Sequence, residues 1–375
     1  MFNVAFRVDA SREIGTGHVM RCLALADKFR EQGIKSHFVM RAHIGNMATH
    51  VKDADYGVTL LPSGEENTFI STEDESNDYA SWLGASWVED AEDTIQNITD
   101  FHCSWLIADH YAIDEKWESR IKHNSDINIM VIDGLADRKH DCDILLDQNY
   151  TKDGCGRWRD LVSLECKMFI GPEYGLFRSE FVTAYLHMQE RNGIVKRIFI
   201  AFGGVDKHNI TQLALEAVIN LNDVDISIDV VIGSGYQYKN ELEVFCQKHT
   251  QITLHVETLK VALLMANADL AIGGGGTMMW ERCYLGLPSI VIAIAENQIN
   301  QAVSVGSTDA IYYLGDFNND IKNELDKVLG SIAYDSNRLC SMSCSSLNLM
   351  KSKTHTNGRV NNHPVVEYMM ENIAR

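Results

Sequence analysis

The feature that most narrows the fold is an alternation of short apolar strands with helical stretches, run through twice along the chain. In the first round, "NVAFRVD" (3–9), "KSHFVMR" (35–41), "SWLIADH" (104–110), "INIMVID" (127–133) and "DILLDQN" (143–149) are apolar runs of strand length. Residues 18–32 place Val19, Cys22, Leu23, Ala26 and Phe29 on one helical face, and Gly33 closes that helix. Several of these strands end in an acid or amide. Such endings suit a parallel α/β sheet, whose ligands bind beyond the carboxyl ends of the strands.

The alternation restarts after "LHMQERNG" (186–193), which turns from helical to polar and reads as a linker. The second round comprises "RIFIAFGG" (197–204), a helix through 210–221, "SIDVVIG" (227–233), a helix near 238–248 and "ITLHV" (252–256). A helix through 258–266, "DLAIGGGG" (269–276), a helix from 277 and "SIVIAIA" (289–295) complete it. The pattern predicts an α/β fold of two Rossmann-like domains, residues 1–190 and 194–350, facing across a cleft. "VVEYMMENI" (365–373) reads as a final helix, so that residues 362–375 pack back on the first domain. Residues 63–78 read as solvated loop, and the chain from about 336 is weakly patterned.

With 375 residues the chain can build a core in each half. Its net charge of −19 repels phosphate backbones and anionic lipid, which argues against nucleic-acid and membrane partners. A local cradle of backbone amides can still hold a small anion. Met1 leads straight into an apolar strand without a basic leader, and the nine cysteines form no CxxC pair. Both features fit a cytoplasmic protein in a reducing compartment. The three-letter matches "DCD" (141–143) and "DAD" (53–55) are too short to imply a metal site. Neither a cofactor nor an obligate protein partner is implied.

The stretch "FRVDASREIGTGHVMRCLALA" (6–26) is a tight strand-to-helix turn. A third glycine for a dinucleotide fingerprint is missing, and no Lys-Ser/Thr follows the glycines as a P-loop requires. Gly15 and Gly17 permit a close approach of backbone to ligand. His18 falls in the first helical turn, where the helix dipole disfavours imidazolium, so the ring can serve as a general base or merely fill a polar niche. Asp9, at the strand end, is placed to orient that imidazole or to stabilise the turn. Arg21, near the same helical face, can bind an acid or a phosphate, or pair at the surface.

In the second half, "IGGGGTMMWERCYLGLP" (272–288) runs from a strand through glycines into a helix. The amides of Gly274, Gly275, Gly276 and Thr277 open that helix and can receive a diphosphate. Glu281, one turn on, can accept hydrogen bonds from ribose hydroxyls. "IAFGGVDKHN" (200–209) is a second such junction, whose Gly203 and Gly204 can clasp the same diphosphate. Asn297 and Gln298 in "AENQ" supply amides suited to sugar hydroxyls.

Together these pieces resemble the nucleotide-sugar hydrolases of pseudaminic acid biosynthesis. The matching stretches are Arg7-x-Asp9-x-Ser11 with "IGTGHVMRCLALA", "ADHYAIDEKWE", "CDILLDQN", "GPEYGLFRSEF", "FGGVDKHN" and "GGGGTMMWERCYLGLP" with "ENQ", in order over roughly residues 4–300. One departure is Asp133-Gly134, where the family often carries two adjacent acids. The resemblance implies the GT-B architecture of the glycosyltransferase that makes the lipid-linked disaccharide of peptidoglycan, with UDP held by the C-terminal domain. It also implies hydrolysis of UDP-2,4-diacetamido-2,4,6-trideoxy-β-L-altropyranose, with water in place of an acceptor. The essential histidine of its GxGH turn maps onto His18, and the tyrosine of its DHY motif onto Tyr111, which would face the sugar beside Asp109 and His110. Three alternatives remain at this level: a glycosyltransferase of the same fold, a non-catalytic nucleotide-sugar binder, and a metal hydrolase built on His18, Asp109 and His110.

Overall fold

The computed structural model describes residues 2–64, 79–318, 320–351 and 363–372. The expected loop at 63–78 therefore lies almost wholly outside the described residues. The chain divides into two compact units, Met1–Arg178 with Ser352–Arg375, and Ser179–Lys351.

The first unit contains, in chain order, β1 (Asn3–Val8), α1 (Gly17–Glu31), β2 (Lys35–Arg41), α2 (Ala48–Asp53), β3 (Gly57–Leu61) and α3 (Trp87–Asp100). It continues with β4 (Trp105–Asp109), α4 (Glu115–Asn124), β5 (Asn128–Ile132), β6 (Ile144–Asp147) and β7 (Lys167–Ile170). All seven strands pair in parallel in the order β3-β2-β1-β4-β5-β6-β7. The order reverses between β1 and β4, which makes their carboxyl ends a topological switch point, the usual ligand position in an open α/β sheet.

Strand alternation sorts the side chains of β1. Val4, Phe6 and Val8 enter one core with Phe29 of α1 and Phe38 of β2, where Phe6 stacks on Phe38 at 4.8 Å between ring centroids. Ala5 enters the core on the opposite face, with Leu106, Trp117 and Trp158. Arg7 is fully buried and makes a bidentate pair with Asp90 of α3, its Nε and Nη2 donating at 3.0 and 2.6 Å. Arg41 Nε and Trp117 Nε1 also donate to Asp90, at 2.9 and 3.0 Å. This buried carboxylate thus ties α3 and α4 to β1 and β2.

The second unit contains α5 (Ser179–His187), β8 (Arg197–Ala201), α6 (Ile210–Asn220), β9 (Ser227–Ile232), α7 (Lys239–Gln247), β10 (Ile252–Val256) and α8 (Val261–Asn267). It goes on through β11 (Leu270–Gly274), α9 (Thr277–Tyr284), β12 (Ser289–Ala293), α10 (Glu296–Gly306), β13 (Tyr312–Asp316), α11 (Ile321–Ile332) and α12 (Ser336–Leu349). Its six parallel strands follow the order β10-β9-β8-β11-β12-β13, with the reversal between β8 and β11.

The division falls at Arg178, not at the polar stretch near 190, because α5 packs against α8 and α9 and belongs to the second unit. Arg191 anchors that polar stretch to the second unit by donating to the carbonyls of Met265, Ala268 and Leu285. The weakly patterned region from 336 is a regular helix, α12. Serines stand on its buried face and hide its periodicity: Ser343 and Ser346 donate to the carbonyls of Gly286 and Ala310, both at 2.7 Å. A last helix, α13 (Pro364–Glu371), buries Val365, Val366 and Met369 completely in the core around Phe6 and Phe29. No helix among the described residues is long and apolar enough to cross a membrane.

Candidate functional site

The two switch points carry the residues with chemical potential. In the first unit, the link from β1 to α1 folds on itself. Ser11 Oγ accepts from the amides of Glu13 and Ile14, and the Gly15 amide donates to the Ser11 carbonyl at 2.9 Å. Gly15 has φ of +78°, a left-handed conformation that glycine adopts without strain. Helix α1 then begins at Gly17 with no side chain capping its N-terminus and no acid in its first turn.

His18 is the second residue of that helix. Its Nδ1 lies 2.6 Å from Asp109 Oδ1 at the end of β4. Arg21, one turn further, grips the same carboxylate with Nε on Oδ2 and Nη2 on Oδ1, each at 2.5 Å. The Cys22 thiol adds a weaker donor at 3.4 Å. Burial alone would raise the Asp109 pKa; the Arg21 charge and then His18 outweigh it and hold the carboxyl well below its usual range. A carboxylate at this position accepts a hydrogen bond from an Nδ1–H, the tautomer that leaves the lone pair on Nε2. The His18 side chain keeps 10% of its surface exposed while Asp109 keeps none, so the ring is the accessible end of the pair.

Tyr111 packs edge-on against His18 with 4.7 Å between ring centroids. Tyr79 and Trp82 continue the aromatic surface, at 5.2 and 6.1 Å from Tyr111. Burial raises the Tyr111 pKa to about 12, so its hydroxyl is a neutral donor or acceptor at physiological pH. The sequence motifs pointed to Tyr111 but not to Tyr79 or Trp82, which stand outside any strand-end pattern.

Asp9 does not orient His18. Val8 is in register with Asp109, so Asp109 shares the α1 face with Val8, whereas Asp9, like Arg7, turns to the opposite side. There Asp9 pairs with Arg7 at 2.7 Å and accepts the Arg41 amide at 2.6 Å. His110 also faces Asp9, with Nε2 at 3.4 Å, while its Nδ1 accepts from the Ala112 amide at 3.1 Å. Burial lowers the His110 pKa, and its Nε2, though near Asp9, makes no hydrogen bond among the described residues. His18 and His110 thus serve different carboxylates and form no common ligand set with Asp109.

In the second unit, β11 delivers the glycine run to α9. A Cβ on Gly273 would lie 2.5 Å from the Ala201 carbonyl oxygen and 2.7 Å from Arg282 Nη1, so the strand pairing and the buried arginine both require glycine there. Arg282 is fully buried and donates to the Gly274 carbonyl at 2.7 Å, fixing the peptide before the turn. Among the described residues its Nε and Nη1 find no hydrogen-bond partner, and burial lowers its pKa to about 10. Helix α9 starts at Thr277 without a side-chain cap, and the Met279 amide turns back to the Gly276 carbonyl at 2.8 Å. Glu281 is buried within that helix.

The amide cradle is narrower than the glycine run suggests. Gln298 Oε1 accepts from the Gly275 amide at 3.1 Å and from the Ile294 amide at 3.2 Å. Gln298 is therefore a structural partner of the turn through its carbonyl, and the available amides begin at Gly276. Asn297 is exposed in the first turn of α10. Gly203 and Gly204 follow β8, the immediate neighbour of β11 in the sheet, and Gly203 has φ of +91°. The helix beyond them cannot contribute an anion site, because Asp206 already accepts from the amides of Ile210 and Thr211 at 3.0 and 2.8 Å. Only the glycine turn itself remains for a ligand.

The chain is similar to several known proteins. Residues 197–357 match the model of the glycosyltransferase family 28 C-terminal domain. An uncharacterised protein of Methanocaldococcus jannaschii is 27% identical over 77% of this chain, which spans only 55% of that protein's length. The UDP-2,4-diacetamido-2,4,6-trideoxy-β-L-altropyranose hydrolase of Campylobacter jejuni is 27% identical over 80% of this chain and 94% of its own. The solved structure of Acinetobacter baumannii MurG superposes with a TM-score of 0.62 at 12% identity, covering 99% of both chains. The chain has the two-domain GT-B fold of parallel-sheet α/β units.

Proposed function

We propose that this protein hydrolyses a UDP-linked 2,4-diacetamido-2,4,6-trideoxy sugar, the β-L-altropyranose in the first instance, to UDP and the free sugar. The observation that carries this reading is the His18–Asp109–Arg21 constellation, an imidazole backed by a carboxylate that Arg21 keeps ionised. His18 Nε2 takes a proton from water, and the water oxygen attacks the anomeric carbon. The bond from that carbon to the β-phosphate oxygen breaks, and UDP departs with the electron pair. Attack opposite the leaving group inverts the anomeric centre. The second unit holds the nucleotide: the amides from Gly276 onward receive the diphosphate, Glu281 the ribose, and the Gly203–Gly204 turn the far side of the phosphates. Tyr111 packs beside the base and faces the sugar. Asn297 reaches sugar hydroxyls.

The similarity to the Campylobacter hydrolase over nearly all of that protein supports hydrolysis in particular. A glycosyltransferase reading draws on the matched family 28 domain and on the MurG fold. Incubation with a panel of UDP-linked diacetamido sugars, followed by NMR, separates the two. Hydrolysis predicts UDP and free sugar in equal amounts without any acceptor; a transferase leaves the donor intact until an acceptor is added. Substituting His18→Asn should reduce turnover by roughly 10²–10⁴-fold, with UDP affinity retained. Unchanged turnover in that variant would remove His18 from the chemistry.

A further inference from the structure

At the amino end of the first sheet, away from His18, two thiols stand side by side. Cys142 lies just before β6 and Cys166 just before β7. Ile144 is in register with Lys167, and the Lys167 amide donates to the Asp143 carbonyl at 2.9 Å, which brings the two cysteines onto neighbouring strands one residue out of step. Their sulfurs are 3.6 Å apart and both are free thiols. Neighbouring strands run about 4.8 Å apart and rise about 3.3 Å per residue, so a one-residue stagger sets the Cα atoms roughly 6 Å apart, within the separation of about 4.4–6.8 Å that a disulfide spans. Both residues line a polar cavity of about 350 Å³, whose walls include Lys122, Asp141, Ser163 and Glu165. The cavity admits a small reagent to sulfurs that are otherwise buried.

We propose that Cys142 and Cys166 are a redox site, at which a peroxide or a low-molecular-weight disulfide converts the dithiol to a disulfide that staples the edge strand β7 to β6. With a peroxide, the Cys166 sulfur attacks one oxygen, the O–O bond breaks, and the first water leaves. The Cys142 sulfur then attacks the resulting sulfenic sulfur and gives up its proton to the departing hydroxyl, which leaves as a second water. The two thiols supply both electrons. The division of labour follows from their surroundings. The hydrogen bond from Cys142 lowers the Cys166 pKa against the effect of burial, and Lys122 assists. The same contact, then burial, raises that of Cys142. Cys166 is also the more exposed of the two, at 8% against 3%, and is the attacking thiol, with Cys142 the resolving one.

The test treats the full-length protein with hydrogen peroxide or oxidised glutathione, quenches it in denaturant with N-ethylmaleimide, and maps the thiols by mass spectrometry. The expected product is a Cys142–Cys166 linked peptide lighter by two hydrogens, restored by dithiothreitol, and formed equally in a Cys155→Ser variant. Oxidation should also raise the thermal midpoint of the wild type and leave that of Cys166→Ser unmoved. Alkylation of both sulfurs after a treatment that oxidises the exposed Cys155 would overturn the proposal. So would a glutathione adduct on Cys166 that fails to resolve, or a bond from Cys166 to any other cysteine.

Discussion

Asp109 accepts from three groups of one helix, His18, Arg21 and Cys22, and it reaches them because β4 registers its last residue against Val8. Asp9 directly follows the adjacent strand and looks equivalent in the sequence, yet one residue of parity sends it to the opposite face. That parity is set by strand register, which a single sequence does not encode. The motif-bearing residues His18, Arg21, Asp109 and Tyr111 were legible individually; the partnership of His18 with an acid 91 residues away was not. Asp109→Asn removes the fixed negative charge and offers Nδ1 an ambiguous partner. We expect kcat for UDP release to fall roughly 10²–10⁴-fold with KM little changed, since the substitution alters how the base is held and charged. A change confined to KM would assign Asp109 to binding instead.

At the scale of elements, β2 and β10 occupy the ranges that the sequence pattern indicates, and α9 begins at the expected Thr277. The two edge strands of the first sheet did not declare themselves. β7 has four residues, and β3 is only partly buried, so neither shows a clear period. The glycine run was conspicuous, but its glycines differ in purpose. Gly273 makes room for the Ala201 carbonyl and Arg282, while Gly275 gives its amide to Gln298. Gly273→Ala should therefore destabilise the second unit by about 1–3 kcal/mol through overpacking, read as a lower denaturation midpoint. A neutral Gly276→Ala, whose Cβ would come no nearer than 3.4 Å to Gln298, is the matching control.

For the molecule as a whole, pH acts on a buried imidazole other than the candidate base. His140 is held between Glu118 and Asp133, with Nδ1 at 2.7 Å and Nε2 at 3.1 Å from their oxygens. Burial opposes its charge, but Glu118 and Asp133 prevail and raise its pKa to about 10. A raised histidine stabilises the fold fully below its unfolded value of about 6.5, and that contribution is lost as pH climbs through about 10. Denaturation midpoints should accordingly decline by the equivalent of a few kcal/mol between neutral pH and pH 10. In His140→Gln this alkaline decline should flatten. An undiminished decline would place the sensitivity elsewhere.

The helix α13 carries a consequence for how the chain is made. It supplies Val365, Val366 and Met369 to the same core as Val4 and Phe6, yet it leaves the ribosome only after the entire second unit. The amino-terminal half therefore waits, its apolar floor uncovered, while the half behind it is synthesised and can already close. Nascent chains should expose that floor to chaperones until the segment that closes it emerges.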